Sequence, residues 1–230
     1  MRGINLQTFK KEKVRPNPTN YLTVSRASIK GAFRVNSELK IDPFLRHRRS
    51  SVSEGDSRKN LEFTAEKGSI IVDIFLDTIT AFDRNGPTTA LDLKILEEKG
   101  NRNFPLIAKI HTNDWDQRQR FHLTVSGLDG YHALHLPPLF CGPVNIDLVA
   151  AGNLDTRVSV SAGFMRNSRI IRDLPSLSAG RHERIYFVGE LNKWEGDQVD
   201  VVVEKGKLRL QIVGERDRDG LRRLGWKLGL

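Results

Sequence analysis

Apolar and polar residues alternate along much of the chain with a period of two. The alternation is clear at residues 21–25, 61–65, 91–95, 121–125, 144–148, 157–161, 199–203 and 208–212. This period predicts half-buried β-strands, because successive side chains of a strand point to opposite faces. No comparable helical stripe precedes residue 214. So many short strands predict an all-β sandwich, barrel or solenoid.

A Glu-Lys-Gly sequence recurs at the ends of several of these predicted strands. Its glycines are Gly68, Gly100 and Gly206, and weaker copies lie at Gly130 and Gly152. A tight corner needs a residue with positive φ, which glycine adopts without steric cost. We therefore expect structural corners with positive φ at these glycines. The spacing between them is uneven, so the repeat predicts no regular period.

Four segments carry a resemblance to a known family, in the same order along the chain. They are Asn-Tyr-Leu-Thr-Val at 20–24, Ile-Lys-Gly-Ala-Phe at 29–33, residues 58–61 with 66–70, and 187–197. Together they resemble an uncharacterised fungal family, classed as a domain of unknown function, that repeats strands around Lys-Asn-Gly-Ser corners. That family is similar in pattern to bacterial adhesin-type β-solenoids. Glu-Lys-Gly replaces Lys-Asn-Gly here, which is a departure from the pattern.

The resemblance covers about residues 20–213 and implies an irregular β-solenoid or β-prism-like body. A β-sandwich is the alternative that the alternating pattern leaves open. The resemblance brings no catalytic residues with it. Its most distinctive segment contains Trp194, Gly196 and Asp197. Trp194 could be a stacking platform for a sugar or a base, but a turn with the Trp packed over it is favoured, because Gly and Asp are ordinary turn residues.

The net charge of +9 is concentrated in three segments, 1–15, 46–49 and 214–230, and the rest of the chain is formally neutral. This distribution favours solvated tails over a folded basic face. We predict a basic flexible arm at 1–17, a single all-β domain at 18–213 with loops at about 44–58 and 163–184, and a short amphipathic, helical C-terminal extension at 214–230. The extension is expected to cap an open end of the β body.

Two basic segments are candidate interaction sites. Five arginines lie within the predicted loop at 163–184 or at its end, and such a cluster can bind phosphate or carboxylate groups; they are Arg166, Arg169, Arg172, Arg181 and Arg184. The alternative is a long polar linker. Ser51 follows Arg48 and Arg49 and resembles a site for basophilic kinases. Phosphorylation there would nearly neutralise the basic patch.

The sequence predicts no catalytic, cofactor or metal site. Cys141 is the one cysteine, and we expect it to be buried as a small apolar residue. His132 and His135 are three residues apart, which on a strand places them on opposite faces. Asp114 and Asp116 supply too few oxygen ligands for calcium. We therefore predict that the protein is not an enzyme.

The function predicted from the sequence is a non-enzymatic binding or scaffold module. The first alternative is a binder of nucleic acid or anionic lipid, acting through the basic arm and the arginine-rich loop. The second is a hydrolase whose site is assembled from distant residues. The expected partner is a protein. We expect no membrane span and no secretory signal, and hence an intracellular protein of the cytoplasm or nucleus.

Overall fold

From β1 (Pro18–Thr19) to β12 (Ser168–Pro175), successive strands alternate between two β-sheets that share one hydrophobic core. The computed structural model describes residues 16–40, 59–77, 88–96, 104–112, 119–127, 130–149, 154–175 and 181–215. One sheet has seven strands and the other has eight. The body is therefore all-β, which confirms the prediction, and its two packed sheets give it a sandwich-like form.

The seven-stranded sheet is parallel throughout. In spatial order its strands are β1 (Pro18–Thr19), β3 (Ile29–Val35), β5 (Ile70–Leu76), β7 (Leu106–His111), β9 (Tyr131–Leu136), β15 (Lys207–Ile212) and β11 (Val158–Val160). Parallel neighbours need a crossover connection. From β3 to β9, each crossover contains one strand of the other sheet.

The eight-stranded sheet ends in an antiparallel hairpin. In spatial order its strands are β12 (Ser168–Pro175), β13 (His182–Val188), β10 (Gly142–Leu148), β14 (Gln198–Val203), β8 (Phe121–Gly127), β6 (Thr89–Ile95), β4 (Leu61–Ala65) and β2 (Leu22–Arg26). β13 is antiparallel to both of its neighbours, and all other pairs are parallel.

The last two strands that the structure describes are inserted between earlier ones. β14 lies between β8 and β10, and β15 lies between β9 and β11. From β2 to β9 the strands of each sheet follow chain order, as they would in a solenoid. The inserted pair interrupts that order, although consecutive elements are usually neighbours in space. The stacking is therefore irregular.

The core consists of side chains that are aligned across strands. Leu61, Leu91 and Leu123 occupy equivalent positions of three parallel strands, and all are buried. Val199 and Val144 continue the same row across the inserted strand. Full burial of such a side chain contributes about 1.5–3 kcal/mol. Alternation between buried and half-exposed residues along strands such as β4, β5 and β8 is thus the basis of the fold.

Two of the predicted glycine corners are required for a reason that differs from the expected one. Neither Gly68 nor Gly206 has a positive φ, so that expectation was wrong. A Cβ at Gly68 would lie 2.3 Å from the carbonyl oxygen of Ala27, and one at Gly206 would lie 2.4 Å from that of Gly130. Each glycine therefore allows the backbones of two neighbouring corners to touch.

Stacked asparagines satisfy the polar groups at another corner. Asn60 Nδ2 donates to Asn20 Oδ1 at 2.8 Å, and the amide of Ala90 donates to Asn60 Oδ1 at 2.7 Å. Asn20 Nδ2 in turn donates to the carbonyls of Ser37 and Leu39. Both asparagines are buried, so these bonds avoid the cost of unpaired amides.

The segment predicted as a loop at 163–184 is largely regular structure. It contains most of helix α2 (Ala162–Asn167), all of β12 and the start of β13. Ser161 caps α2, since its Oγ accepts a hydrogen bond from the amide of Phe164 at 3.1 Å. Further short elements are helix α1 (Leu154–Arg157) and a 3₁₀ turn (Leu191–Lys193).

Several predicted features lie outside the described residues. They are most of the basic arm, the loop with Arg48, Arg49 and Ser51, the corners at Gly100 and Gly152, Asp114 with Asp116, and the extension beyond residue 215. Among the described helices, none is long and apolar enough to cross a membrane.

Candidate binding surface at the hairpin end

The four sheet edges of the described body differ in length and in polarity. β1 has two residues, one of them Pro18, and β11 has three residues between α1 and α2. β2 has five residues, and its apolar side chains Leu22 and Val24 pack against the core. β12 has eight residues and is the longest strand described. Proteins usually shorten or block their edges, because an open edge can pair with another chain.

The β12 edge also exposes apolar side chains. Ile170, Ile171 and Leu174 are each about half exposed, and so is Met165 on the adjacent helix α2. Single exposed apolar residues are ordinary, but several of them along one strand make that strand a candidate interaction surface. We call β12, β13 and α2 together the hairpin end.

The register assigns the β12 side chains to two faces. Arg169 and Arg172 pair with Phe187 and Ile185 of β13, on the outer face of the sheet. Ile170 pairs with Tyr186 on the core-facing side. The register shifts between Ile170 and Arg172, which makes Ile171 the extra residue of a β-bulge. A bulge bends a strand and redirects its side chains.

Arg184 anchors the hairpin to the body, so it is not available as a ligand-binding cation. Its side chain is only 9% exposed, and it donates to Asp173 Oδ2 from Nε at 3.1 Å and from Nη2 at 2.7 Å. Its Nη1 donates to Asp155 at 2.8 Å and to the Tyr186 hydroxyl at 3.4 Å. Burial lowers the pKa of Arg184, but these hydrogen bonds outweigh burial and raise it.

Asp173 is held in its ionised form by the same network. The hydrogen bonds from Arg184 lower the pKa of Asp173, burial opposes them, and the contact with His182 lowers it further. His182 Nε2 lies 2.6 Å from Asp173 Oδ1. The ring of Phe164 on α2 packs edge-on against Tyr186, with centroids 5.6 Å apart. Helix α2 is therefore joined to the hairpin by an aromatic contact, and helix α1 is joined to it by the ion pair of Asp155 with Arg184.

The other four predicted arginines are exposed at the hairpin end and do not converge on one point. Arg172 forms an exposed ion pair with Glu183 at 3.4 Å. The Arg169 guanidinium lies 5.9 Å from the centroid of the Phe187 ring. Arg166 lies in the last turn of α2, and Arg181 directly precedes β13. Within the described residues, Arg166, Arg169 and Arg181 form no ion pair with a carboxylate.

The distinctive segment at 194–197 has a structural role in placing β14. Asp197 is fully buried, and its carboxylate accepts hydrogen bonds from the amides of Phe121 and Cys141, both at 3.3 Å. Phe121 is the first residue of β8, and Cys141 directly precedes β10. These two strands flank β14. Gly196 has φ +116°. The Trp194 indole donates to the Asp197 carbonyl at 2.9 Å, which holds the ring beside the turn.

Trp194 extends the hairpin end along the outer face. Its ring meets Phe187 edge-on at 6.3 Å, while Arg169 lies near the same Phe187 ring. About half of Trp194 stays exposed. Aromatic and Arg side chains in such positions are frequent energetic centres of protein interfaces.

A shallow groove of about 440 Å³ lies on the outer face beside the hairpin. Its polar lining includes Asn145, Asp147, Arg181, Glu183 and Asp200. Asn145 Nδ2 donates to Asp200 at 2.6 Å, and Gln198 Nε2 also donates to it. Burial raises the pKa of Asp200, but the bonds from Asn145, His122 and Gln198 together lower it.

His122 and Asp200 were not identified as a pair from the sequence. His122 Nε2 lies 2.5 Å from Asp200 Oδ2, across the contact between β8 and β14. The alternating pattern places both side chains on the outer face, but only the insertion of β14 makes their strands neighbours. Sequence reasoning also missed the apolar edge at Ile170 and Ile171, although two adjacent isoleucines in an arginine-rich segment were a visible signal.

His132 and His135 lie on opposite faces of β9, and Cys141 is buried. His132 is buried and faces the core, whereas His135 points outward and contacts Gln211. Cys141 is buried, and its thiol donates to the carbonyl of Glu190. In the described ranges, no group of three or more His, Cys, Asp or Glu residues is arranged to hold a metal ion.

Comparison with known proteins identifies one family. The model of a family described as a domain of unknown function (DUF7330) matches residues 20–215. The match begins two residues before β2 and ends three residues after β15, and it includes the hairpin end. No curated protein and no solved structure matches the chain.

Proposed function

We propose, for a chain that belongs to the DUF7330 family, a non-enzymatic binding function in which the hairpin end contacts a protein partner. The observation that carries this proposal is the β12 edge, which is at once long, apolar and open in the described body. The other three edges are shorter. An edge of this kind is a site for pairing with another chain.

The energetics support a protein as the partner. Four apolar side chains at this end are each about half exposed. Covering their exposed halves would stabilise a complex by on the order of 3–6 kcal/mol, from the usual contribution per buried side chain. Arg169, Phe187 and Trp194 add a cluster of one cationic and two aromatic side chains beside them. Protein interfaces are enriched in these residue types.

The rigidity of the hairpin supports the same proposal. Arg184 ties β13 to β12 through Asp173 and to α1 through Asp155. A surface that is already ordered loses little conformational entropy when it binds. The hairpin end is thus built as a fixed platform.

The exposed arginines support a second candidate, a surface for phosphate-bearing partners. Arg166, Arg169 and Arg181 bring positive charge to the same end. Affinity for nucleic acid or anionic lipid falls steeply as salt rises, because counterions are released. An interface dominated by apolar contacts is much less sensitive to salt. Salt dependence therefore separates the two candidates.

The experiment has two parts. The first compares proximity labelling by wild type and variants in the source cells, and the second captures the unlabelled complexes of the protein at low and at high salt. The Ile170→Ser/Leu174→Ser protein should lose the partners that the wild type labels. Leu96→Ser is the matched control, because Leu96 is also exposed but follows β6, away from the hairpin. Equal labelling by wild type and the hairpin variant would contradict the proposal. Loss of all partners at high salt would favour phosphate binding.

The non-enzymatic part of the proposal has its own test at the His122 and Asp200 pair. A hydrolase could use such a pair as an acid–base group. We expect no turnover of chromogenic ester, phosphate monoester or glycoside substrates by the wild type. Turnover that disappears in His122→Asn would contradict the proposal and favour the hydrolase alternative.

A further inference from the structure

We propose that the partner of the hairpin end is an acidic, extended peptide segment, which pairs with β12 as a ninth strand of the eight-stranded sheet. This inference rests on the proposed binding function and specifies the chemistry of its partner. In the ligand, acidic side chains alternate with apolar ones. The reasons lie in the backbone, the charges and the two faces of β12.

The backbone of β12 provides the pairing groups. β12 is hydrogen-bonded to β13 on one side and ends the sheet on the other. A strand of eight residues extends for about 26 Å, at about 3.3 Å per residue. That length suits a ligand strand of ordinary size, bound by main-chain hydrogen bonds with side chains adding specificity.

The charges along the edge select an acidic ligand. Asp173 is occupied by Arg184 and His182, and Glu183 is occupied by Arg172. Arg166 and Arg169 then remain as positive charges without a carboxylate partner among the described residues, next to the open edge. Opposite charges on adjacent strands stabilise pairing, and like charges oppose it.

The same charges argue against a second copy of this chain as the occupant. Antiparallel pairing of β12 with a second β12 would bring two copies of Arg169 and Arg172 onto one outer face, on both sides of a twofold axis. Like charges directly opposite one another are destabilising. The net charge of +9 on each copy adds a repulsion between them.

The two faces of β12 set the alternation in the ligand. Arg169 and Arg172 lie on the outer face, so acidic ligand residues beside them also point outward, and Leu174 follows them on that face as an apolar side chain. Ile170 lies on the core-facing side with Tyr186, so the ligand residues between the acidic ones are apolar. The bulge at Ile171 restricts the register in which a strand fits, which limits indiscriminate pairing.

The test uses the whole chain and a labelled peptide in which Glu and Val alternate. Three comparison peptides have Lys in place of Glu, the same composition with all Glu at one end, and backbone N-methylation at alternate residues. We expect the alternating Glu peptide to bind, and each comparison peptide to bind at least about tenfold more weakly, since each removes either charge, alternation or strand pairing. Binding is measured by fluorescence anisotropy.

A charge reversal provides the specific control. Arg169→Glu/Arg172→Glu should weaken the Glu peptide about tenfold or more and strengthen the Lys peptide. Lys94→Glu, on the outer face of β6, is the matched control and should leave both affinities unchanged. Hydrogen exchange should show new protection at the amides of residues 168–174 when the Glu peptide binds. Binding without that protection would overturn the strand pairing.

Other occupants give distinct results. Binding to vesicles that contain phosphatidylserine, or to polyphosphate, in preference to the peptide would replace the inference with phosphate recognition. A dimer in sedimentation that Ile170→Ser/Leu174→Ser abolishes would replace it with a second copy. If the peptides fail to bind while the hairpin variant still loses its partners in cells, this inference fails and the proposed function stands.

Discussion

Arg184 donates two hydrogen bonds to one carboxylate oxygen of Asp173, from Nε at 3.1 Å and from Nη2 at 2.7 Å. The two residues face each other across the antiparallel pair of β12 and β13. This contact fixes the strand that carries the open edge. The stability of the hairpin and the binding that we propose for its edge are therefore linked through one ion pair.

Replacing Asp173 should destabilise the protein more than an exposed substitution nearby. Asp173→Asn removes a charged acceptor from an arginine that is largely buried, which should cost about 2 kcal/mol, a typical value for a hydrogen bond to a charged group. Arg172→Met, which breaks only the exposed pair with Glu183, should cost less than about 1 kcal/mol. Urea unfolding measures both. Equal costs would show that the network is not a stability anchor.

The same carboxylate predicts an acid dependence of stability. The folded-state pKa of Asp173 is lowered, so the unfolded chain binds its proton more readily. Asp173 therefore contributes stability above its unfolded pKa of about 3.9, and this contribution is lost as the pH falls through the lower folded value. The difference in unfolding free energy between wild type and Asp173→Asn should shrink in that acid range. A difference that stays constant with pH would contradict the assignment.

At the glycine corners, we expect Ala and Asn substitutions to destabilise the protein in a different order at different positions. At Gly68 a Cβ would meet backbone, so Gly68→Ala should cost about 1–3 kcal/mol and the larger Gly68→Asn more. Gly214 is the control, because it has φ +88° and no atom near its Cβ position. There Asn should be tolerated better than Ala, since Asn adopts the left-handed region more readily. If Asn were also tolerated better than Ala at Gly68, the backbone φ angle, and not contact with the Ala27 backbone, would be what excludes other residues there.

Replacing Asp197 should destabilise the attachment of β14 to its neighbours β8 and β10. Asp197→Ala leaves two backbone amides, those of Phe121 and Cys141, without this acceptor, and should cost about 2–4 kcal/mol. Asp197→Asn keeps an oxygen acceptor and should cost less. Hydrogen exchange of β14 should accelerate in the Ala variant before that of β6. Uniform acceleration across the sheet would mean that Asp197 has no particular role at the insertion.

The sequence alone determined the strands that have one buried face. Residues 61–65 were predicted as a strand and form β4, because their alternation matches the pleat of a sheet with one side in the core. The opposite faces of His132 and His135 followed from the same period. The family was also recognisable, since its motifs are local.

The edge strand escaped the same reasoning. β12 has exposed side chains on both faces and a bulge at Ile171, so its sequence has no regular period of two. The predicted loop there was in fact the most exposed part of the sheet. Its arginines were identified, but nothing in the sequence showed that Arg184 points inward while the other four remain exposed.

The tertiary structure decided which strands are neighbours. The apolar pattern of a strand specifies which of its faces is buried. It does not specify which strands lie beside it, because strands with similar apolar faces can pair with one another in several orders. Because β14 lies between β8 and β10, His122 contacts Asp200, and the Asp197 carboxylate accepts hydrogen bonds from the amides of Phe121 and Cys141. The contacts of His122 with Asp200 and of Phe121 with Asp197 join residues more than seventy positions apart. Such contacts depend on the order of the strands in space. That order comes from the fit of whole sheets and is not written in any local period.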